Sequence, residues 1–204
     1  MPVSAESYEQ VPVESRAQWR EWLRAHHDSA PGVWVVTWKK SSSGPYVSYE
    51  DLVEEALCFG WIDTKGRRLD DQRSQLLLTP RRARSGWSRP NKQRVERLIA
   101  AGLMEPAGLA VIEAAQRSGT WTALDDVEDG IEPSDLAAAL DAAPDARRHW
   151  DAFPRSARRA ILEWISSART APTRDKRVRT TVEEAAEGRR ANQWPRTAGG
   201  GAPG

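Results

Sequence analysis

The sequence predicts an α+β fold: a small, mostly antiparallel sheet with packed helices, followed by an all-helical C-terminal part. Three observations lead there. Short β-branched and aromatic runs occur only in the first half of the chain. Helical stretches opened by Ser or Pro and closed by Gly separate or follow them. Beyond about residue 120 every apolar pattern has helical spacing. The 204 residues suffice for one large domain or a domain with a helical extension. The expected division is a flexible N-terminus at 1–14, a mixed core at 15–120, a helical part at 121–190 and a disordered tail at 191–204.

Residues 1–14 show no periodicity. Ser15 can cap a helix to about His27, with Trp19, Trp22, Leu23 and His26 on one face. Pro31-Gly32 breaks it, and Val33 to Trp38, apolar on both faces, reads as a buried strand. Ser48-Tyr49-Glu50-Asp51 has the form of a capping box, so a helix follows, with Tyr49, Leu52, Val53, Ala56 and Leu57 as its stripe and Gly60 as its stop. Trp61-Ile62-Asp63 begins a second strand, Gly66 marks a turn or bulge, and Gln75 to Thr79 is a third strand ended by Pro80. Pro90 opens a helix to Ala101, and Pro106 opens another that ends at Gly119. Helices are then expected at Leu136 to Leu140, Ser156 to Ala168 and Pro172 to Glu187, with a Gly-rich end after them.

Charge and composition narrow the function classes. The net charge of +1 hides bands: residues 73–97 hold eight basic residues and one Glu, 103–145 are acidic, and 147–180 are basic again. Such bands pair within a fold or present a polarised surface. The one cysteine, Cys58, cannot form an internal disulfide, and beside Phe59 on a helix it reads as a packing residue. His26 and His27 are adjacent and His149 is remote, so no metal site is expected, and no cofactor is implied. The acidic run from Asp125 to Asp129 lacks the calcium-loop pattern and reads as a solvated turn. Neither a signal peptide nor a run of about 18 apolar residues is evident, so no membrane span and a cytoplasmic location are expected.

Several segments together resemble one family. Ala56-Leu57-Cys58-Phe59-Gly60-Trp61-Ile62-Asp63, then Leu78-Thr79-Pro80-Arg81 with Ser85-Gly86-Trp87-Ser88 and Asn91, are similar to signatures of the YdeI/OmpD-associated, bacteriocin-protection family. Arg94 to Ile99, Gly102-Leu103-Met104, Phe153-Pro154, Trp164-Ile165 and Asn192-Gln193-Trp194 extend the likeness over roughly residues 15–194. A departure is Thr64, where the pattern has glycine after the Asp. The resemblance implies a role associated with bacteriocin protection, antimicrobial-peptide resistance or an outer-membrane porin. It supplies no reaction, cofactor or catalytic residues.

The candidate site lies in residues 61–94. Trp61 and Asp63 follow a helix stop, Arg73 lies in the next connection, Thr79 and Arg81 end a strand, and Ser85, Trp87, Ser88 and Asn91 lead into a helix N-terminus. Free N–H groups and a positive dipole end attract anions there, arginine binds carboxylate or phosphate bidentately, and Trp supplies a wall. A pocket for a small-molecule or peptidic anionic ligand is the resulting expectation. The same residues admit a structural reading, in which Ser88 or Asn91 caps a helix, Trp61 and Trp87 fill the core, and Asp63 pairs with Arg73 or Arg81. Two other classes compete: a nucleic-acid binder using the basic 73–97 segment, against which stand a near-neutral charge and no recognised motif, and an enzyme of unknown reaction with Asp63 as acid or base. The oligomeric state is not legible.

Overall fold

The computed structural model describes residues 7–192. Its chain contacts form two compact units, one up to Ala123 and one from Leu124 onward.

The first unit is built on a four-stranded sheet of order β1-β2-β4-β3. β2 (Val33–Trp38) is the β-branched run, and five of its six residues are buried, as a central strand requires. It pairs antiparallel with β4 (Arg73–Pro80), which pairs antiparallel with β3 (Trp61–Arg68). β1 (Gln10–Pro12) runs parallel to β2, so the sheet is mixed. This corrects the flexible N-terminus expected at 1–14. Val13 is 1% exposed, Trp34 N donates to Glu9 O, and Val13 N donates to Val36 O. Val11 and Val13, two residues apart, both turn to the core, which a pattern of only two side chains could not announce. Residues 1–6 of that stretch lie outside the described residues.

β3 does not turn at Gly66. It runs on to Arg68, and the irregularity falls between Asp63 and Lys65, making Thr64 the bulged residue. The turn is made by Asp70, whose Oδ1 accepts from Gln72 N at 2.9 Å and Arg73 N at 2.7 Å.

Helices cover one face of the sheet. α1 (Arg16–His26) starts where the Ser15 side chain accepts from Gln18 N. α2 (Tyr49–Cys58) starts at Ser48, which accepts from Asp51 N at 3.0 Å. α3 (Arg89–Ala100) and α4 (Pro106–Ser118) each carry Pro in the first turn, where its missing N–H costs nothing. The core between them joins Trp19, Leu23, Val33, Val35, Val53, Leu57, Trp61, Leu78, Trp87 and Leu98. Two of its tryptophans donate to backbone carbonyls, Trp19 Nε1 to Leu52 O and Trp61 Nε1 to His27 O, both at 3.0 Å. His26, expected on the packed face, is exposed and stacks on Trp22.

α2 is tied on both sides by ions. Glu55, 3% exposed, accepts from Arg16 Nε at 2.6 Å and Arg20 Nη1 at 2.7 Å. Glu50 takes a two-pronged contact from Arg94 at 3.0 and 2.7 Å. At its C-terminal end α2 meets α4 with almost no gap: a Cβ at Gly108 would lie 2.3 Å from Cys58 O.

The second unit is helical throughout its described residues: α5 (Asp125–Asp129), α6 (Ser134–Asp141), α7 (Pro144–Ala152), α8 (Arg155–Ser166) and α9 (Ala171–Ala186). Leu136, Leu140, Trp150, Ile161, Leu162 and Ile165 form its core. α5 replaces the expected solvated turn, because Val127 enters that core while Glu128 holds Arg159 at 2.8 Å. α7 was not expected. Its Trp150 is fully buried and donates to Glu132 Oε1 at 2.7 Å, a non-local pairing with no local signature. Ala191, placed by the sequence reading in a disordered tail, packs on the core. Residues 193–204, with Gln193 and Trp194, lie outside the described residues. No described helix is long and apolar enough to cross a membrane.

The α2–α4 contact makes a direct prediction. Gly108→Ala pushes a methyl into backbone that cannot rotate away, so it should destabilise by about 1–3 kcal/mol, read as a lower midpoint in urea denaturation. An unchanged midpoint would contradict the close approach.

Candidate functional site

The sequence-predicted residues divide into three groups. The first belongs to the core. Trp61 and Trp87 are each 1% exposed, the former hydrogen-bonded to His27 and set edge-on against Trp22. The second is removed from the site. Arg73 lies at the hairpin end of β4, opposite Trp38 and paired with Asp70 at 2.7 Å. From there to Leu78, the partner of Asp63, is five residues, or roughly 16 Å of strand. The third group lies along the stretch where β3 begins, β4 ends and α3 starts, namely Asp63, Thr79, Arg81, Ser85, Ser88 and Asn91, with Asp63 and Thr79 on opposite faces of the sheet.

Asp63 sits just before the bulge, on the helix-side face opposite Leu78. It accepts a 2.8 Å hydrogen bond from the Tyr49 hydroxyl, supplied by the first turn of α2. Thr64, the departure from the family pattern, occupies the bulge and bonds its hydroxyl to that of Thr79 at 3.2 Å. Asn91 does not cap α3. Its Oδ1 accepts from Arg94 Nη1 at 2.9 Å and steadies a guanidinium already held by Glu50. Ser88 stands at the N-cap position of α3 without a side-chain capping bond. Ser85 closes a turn through its backbone, donating to Arg82 O at 3.0 Å.

Arg81 is the residue with unused capacity. Its backbone N donates to Gly60 O at 2.9 Å, which locks the end of β4 to the stop of α2. Its guanidinium lies with Cζ 3.8 Å from the centre of the Trp87 ring, and Nη2 donates to Gly86 O at 2.5 Å. Nε is buried and without a partner, and among the described residues Arg81 forms no ion pair. Beside it opens a cleft of about 90 Å³ lined by Arg81, Arg82, Ala83, Trp87, Val111 and Ala114. The loop that carries these groups is strapped down, since Trp87 N donates to Thr120 O at 3.3 Å.

The protonation states follow from this geometry. Burial pushes the Arg81 guanidinium down to about 10, with Asp63 opposing, so it stays charged at neutral pH. Burial and the bond to Asp63 push the Tyr49 phenol up to about 12. Glu50 is held below the usual carboxylate range by its bond to Arg94. Burial, and then the nearby Glu55 carboxylate, push the Cys58 thiol up to about 11, so it is no ready nucleophile.

The sequence reading missed Tyr49, Glu50 and Arg94. Tyr49 was legible only as an apolar stripe position, though a tyrosine in a helix's first turn carries a hydroxyl that must go somewhere. Much of the basic 73–97 band proves internally engaged, through Arg73, Arg94 and Arg97 with Asp70, Glu50 and Glu54. The second unit holds a groove of about 390 Å³ between α6 and α9, lined among others by Ala139, Val178 and Val182, which none of the predicted site residues reaches. No group of His, Cys, Asp and Glu among the described residues is placed to hold a metal ion.

The Tyr49–Asp63 pair can be tested by titration. Tyr49 is neutral and favoured in the fold, so its contribution is present below the ordinary phenol value near 10 and is lost as pH rises toward 12. One of the three tyrosines should therefore titrate late by tyrosinate absorbance, and Asp63→Asn should bring it part of the way down. Three coincident titrations would contradict the pairing.

Two family models match the chain. Residues 11–111, which hold Tyr49, Asp63 and Arg81 but not the Ala114 side of the cleft, match a domain of unknown function, DUF8412. Residues 130–188 match the family described as bacteriocin-protection, YdeI or OmpD-associated. Neither a curated protein nor a solved structure matches the chain.

Proposed function

We propose that this chain, whose residues 130–188 match the family described as bacteriocin-protection, YdeI or OmpD-associated, acts by binding an anionic ligand in its first unit, at Arg81. The ligand is a small carboxylate or phosphate, or the terminal carboxylate of a peptide. The observation that carries this reading is a largely buried guanidinium with an unpartnered Nε, at the lip of a cleft and without a carboxylate of its own. An uncompensated buried charge costs several kcal/mol, and proteins ordinarily pair one. Asp63 compensates only in part: its charge favours the guanidinium, but it makes no ion pair with Arg81 and one of its oxygens accepts from Tyr49. An arriving anion would restore the missing charge balance, while Trp87 and Gly86 hold the guanidinium flat and in place. The small cleft suits one anionic head group, with the rest of a longer ligand left outside.

Thermal unfolding tests this. At ten times its dissociation constant an anion adds about 1.4 kcal/mol, and for a chain of this size that is a rise in Tm of roughly 3–5 °C. Acetate, phosphate and a carboxylate-ended peptide should be compared with chloride at equal ionic strength. The native protein should rise with at least one of the first three, Arg81→Ala should not, and Arg81→Lys should rise less. Equal responses in the native protein and both variants would remove the proposal.

A further inference from the structure

The helix-side face of the sheet carries a second hollow, of about 290 Å³, whose lining shares no residue with the Arg81 cleft. Its floor is the sheet near the β3–β4 hairpin. Thr37 of β2 stands opposite Ser74 of β4, and Gly66 of β3 stands opposite Leu76. Its walls are Leu52 and Tyr49 from α2, and Tyr46 from the segment before it.

Four features give the hollow a chemical character. Thr37 is 6% exposed, and its hydroxyl, which makes no hydrogen bond among the described residues, is left open to the hollow as a donor for a ligand's acceptor. Tyr46 and Tyr49, three positions apart, are 48% and 49% exposed and both line the hollow, so their rings are open to a ligand. Tyr49 is held in place by its bond to Asp63, so that wall is preformed. Finally, the only charged lining residue, Arg67, is occupied: its guanidinium lies 4.1 Å from the centre of the Trp34 ring, and its register partner Gln75 belongs to the opposite face of the sheet from Ser74 and Leu76. The ligand is therefore neutral, with flat apolar surface for the tyrosines and acceptor oxygens for the hydroxyls.

We infer that this hollow binds a short, extended, proline-containing peptide segment. Proline rings lie flat on tyrosine faces. The carbonyls of a proline run have no N–H of their own to satisfy, and so take hydrogen bonds from Thr37, Ser74 and Tyr46. The polyproline conformation is formed before binding, so little entropy is lost on docking. Gly66 makes room for it. A Cβ there would meet only Leu76 Cδ1 at 3.8 Å, and its φ is not in the left-handed region, so a larger side chain can be added from the sheet without strain.

The test is calorimetric titration of the full chain with octaproline capped at both ends, a probe without charge. Saturable binding is expected. Gly66→Leu, which fills the hollow, and Tyr46→Ala, which removes a wall, should each weaken it about tenfold or more. Thr37→Val should weaken it by a smaller factor at unchanged Tm. Arg81→Ala should leave it unaltered, which separates this site from the anion site. No binding at millimolar peptide, equal binding by Gly66→Leu, or preferential binding of a neutral oligosaccharide such as maltohexaose would each overturn the inference.

Discussion

The first unit depends on a buried carboxylate. Glu55, on the inner side of α2, is removed from water and is met there by the Arg16 and Arg20 guanidiniums that α1 brings to it. That pair of contacts fixes α2 against α1, and α2 then fixes nearly everything else. Its first turn presents Tyr49 to Asp63 and Glu50 to Arg94 of α3. Its end at Gly60, in the left-handed region, receives α4 through Val111 and accepts the backbone N of Arg81. Glu55 is the one acceptor that Arg16 and Arg20 share, while Asp51 and Glu54 hold Arg16 and Glu105 holds Arg20 from the sides, so the contact is a network rather than a single pair.

Against this background Arg81 is the exception. The sequence alternates basic and acidic bands, and the fold uses them to pair helices: α1 and α3 supply cations to the acidic first and second turns of α2. The long-range character of these pairs explains why the near-neutral total says little about the surface. Arg81 stands apart with an aromatic face and a carbonyl for company and no ion pair among the described residues. That charge, kept where it is costly, is the ground of the proposed anion site.

How far the sequence spoke depended on whether its signals were local. Ser15 and Ser48 cap the helices they were expected to cap, and β2 occupies the same six residues as its β-branched run. β1 was lost because three residues carry no period of their own; it exists through its pairing with β2. The hairpin turn was placed at Gly66, although Asp70 carries the side chain that bonds the turn's N–H groups. Among site residues, nearness in sequence misled for Arg73, which the strand carries to the opposite end of the hairpin. Trp61 and Trp87 took the structural role that was weighed for them. Tyr49 reaches Asp63 from α2 and Arg94 reaches Glu50 from α3, and no spacing rule links positions so far apart in the chain.

The central claim is that the Arg81 Nε–H is a free donor awaiting an anion. Nitrogen–proton correlation spectra of the arginine Nε groups, assigned with Arg81→Lys, examine that donor directly. The account predicts one protected Nε signal that moves saturably when acetate or phosphate is added and is absent from the variant. An Arg81 signal unmoved by any anion, while surface arginines shift with ionic strength alone, would contradict it.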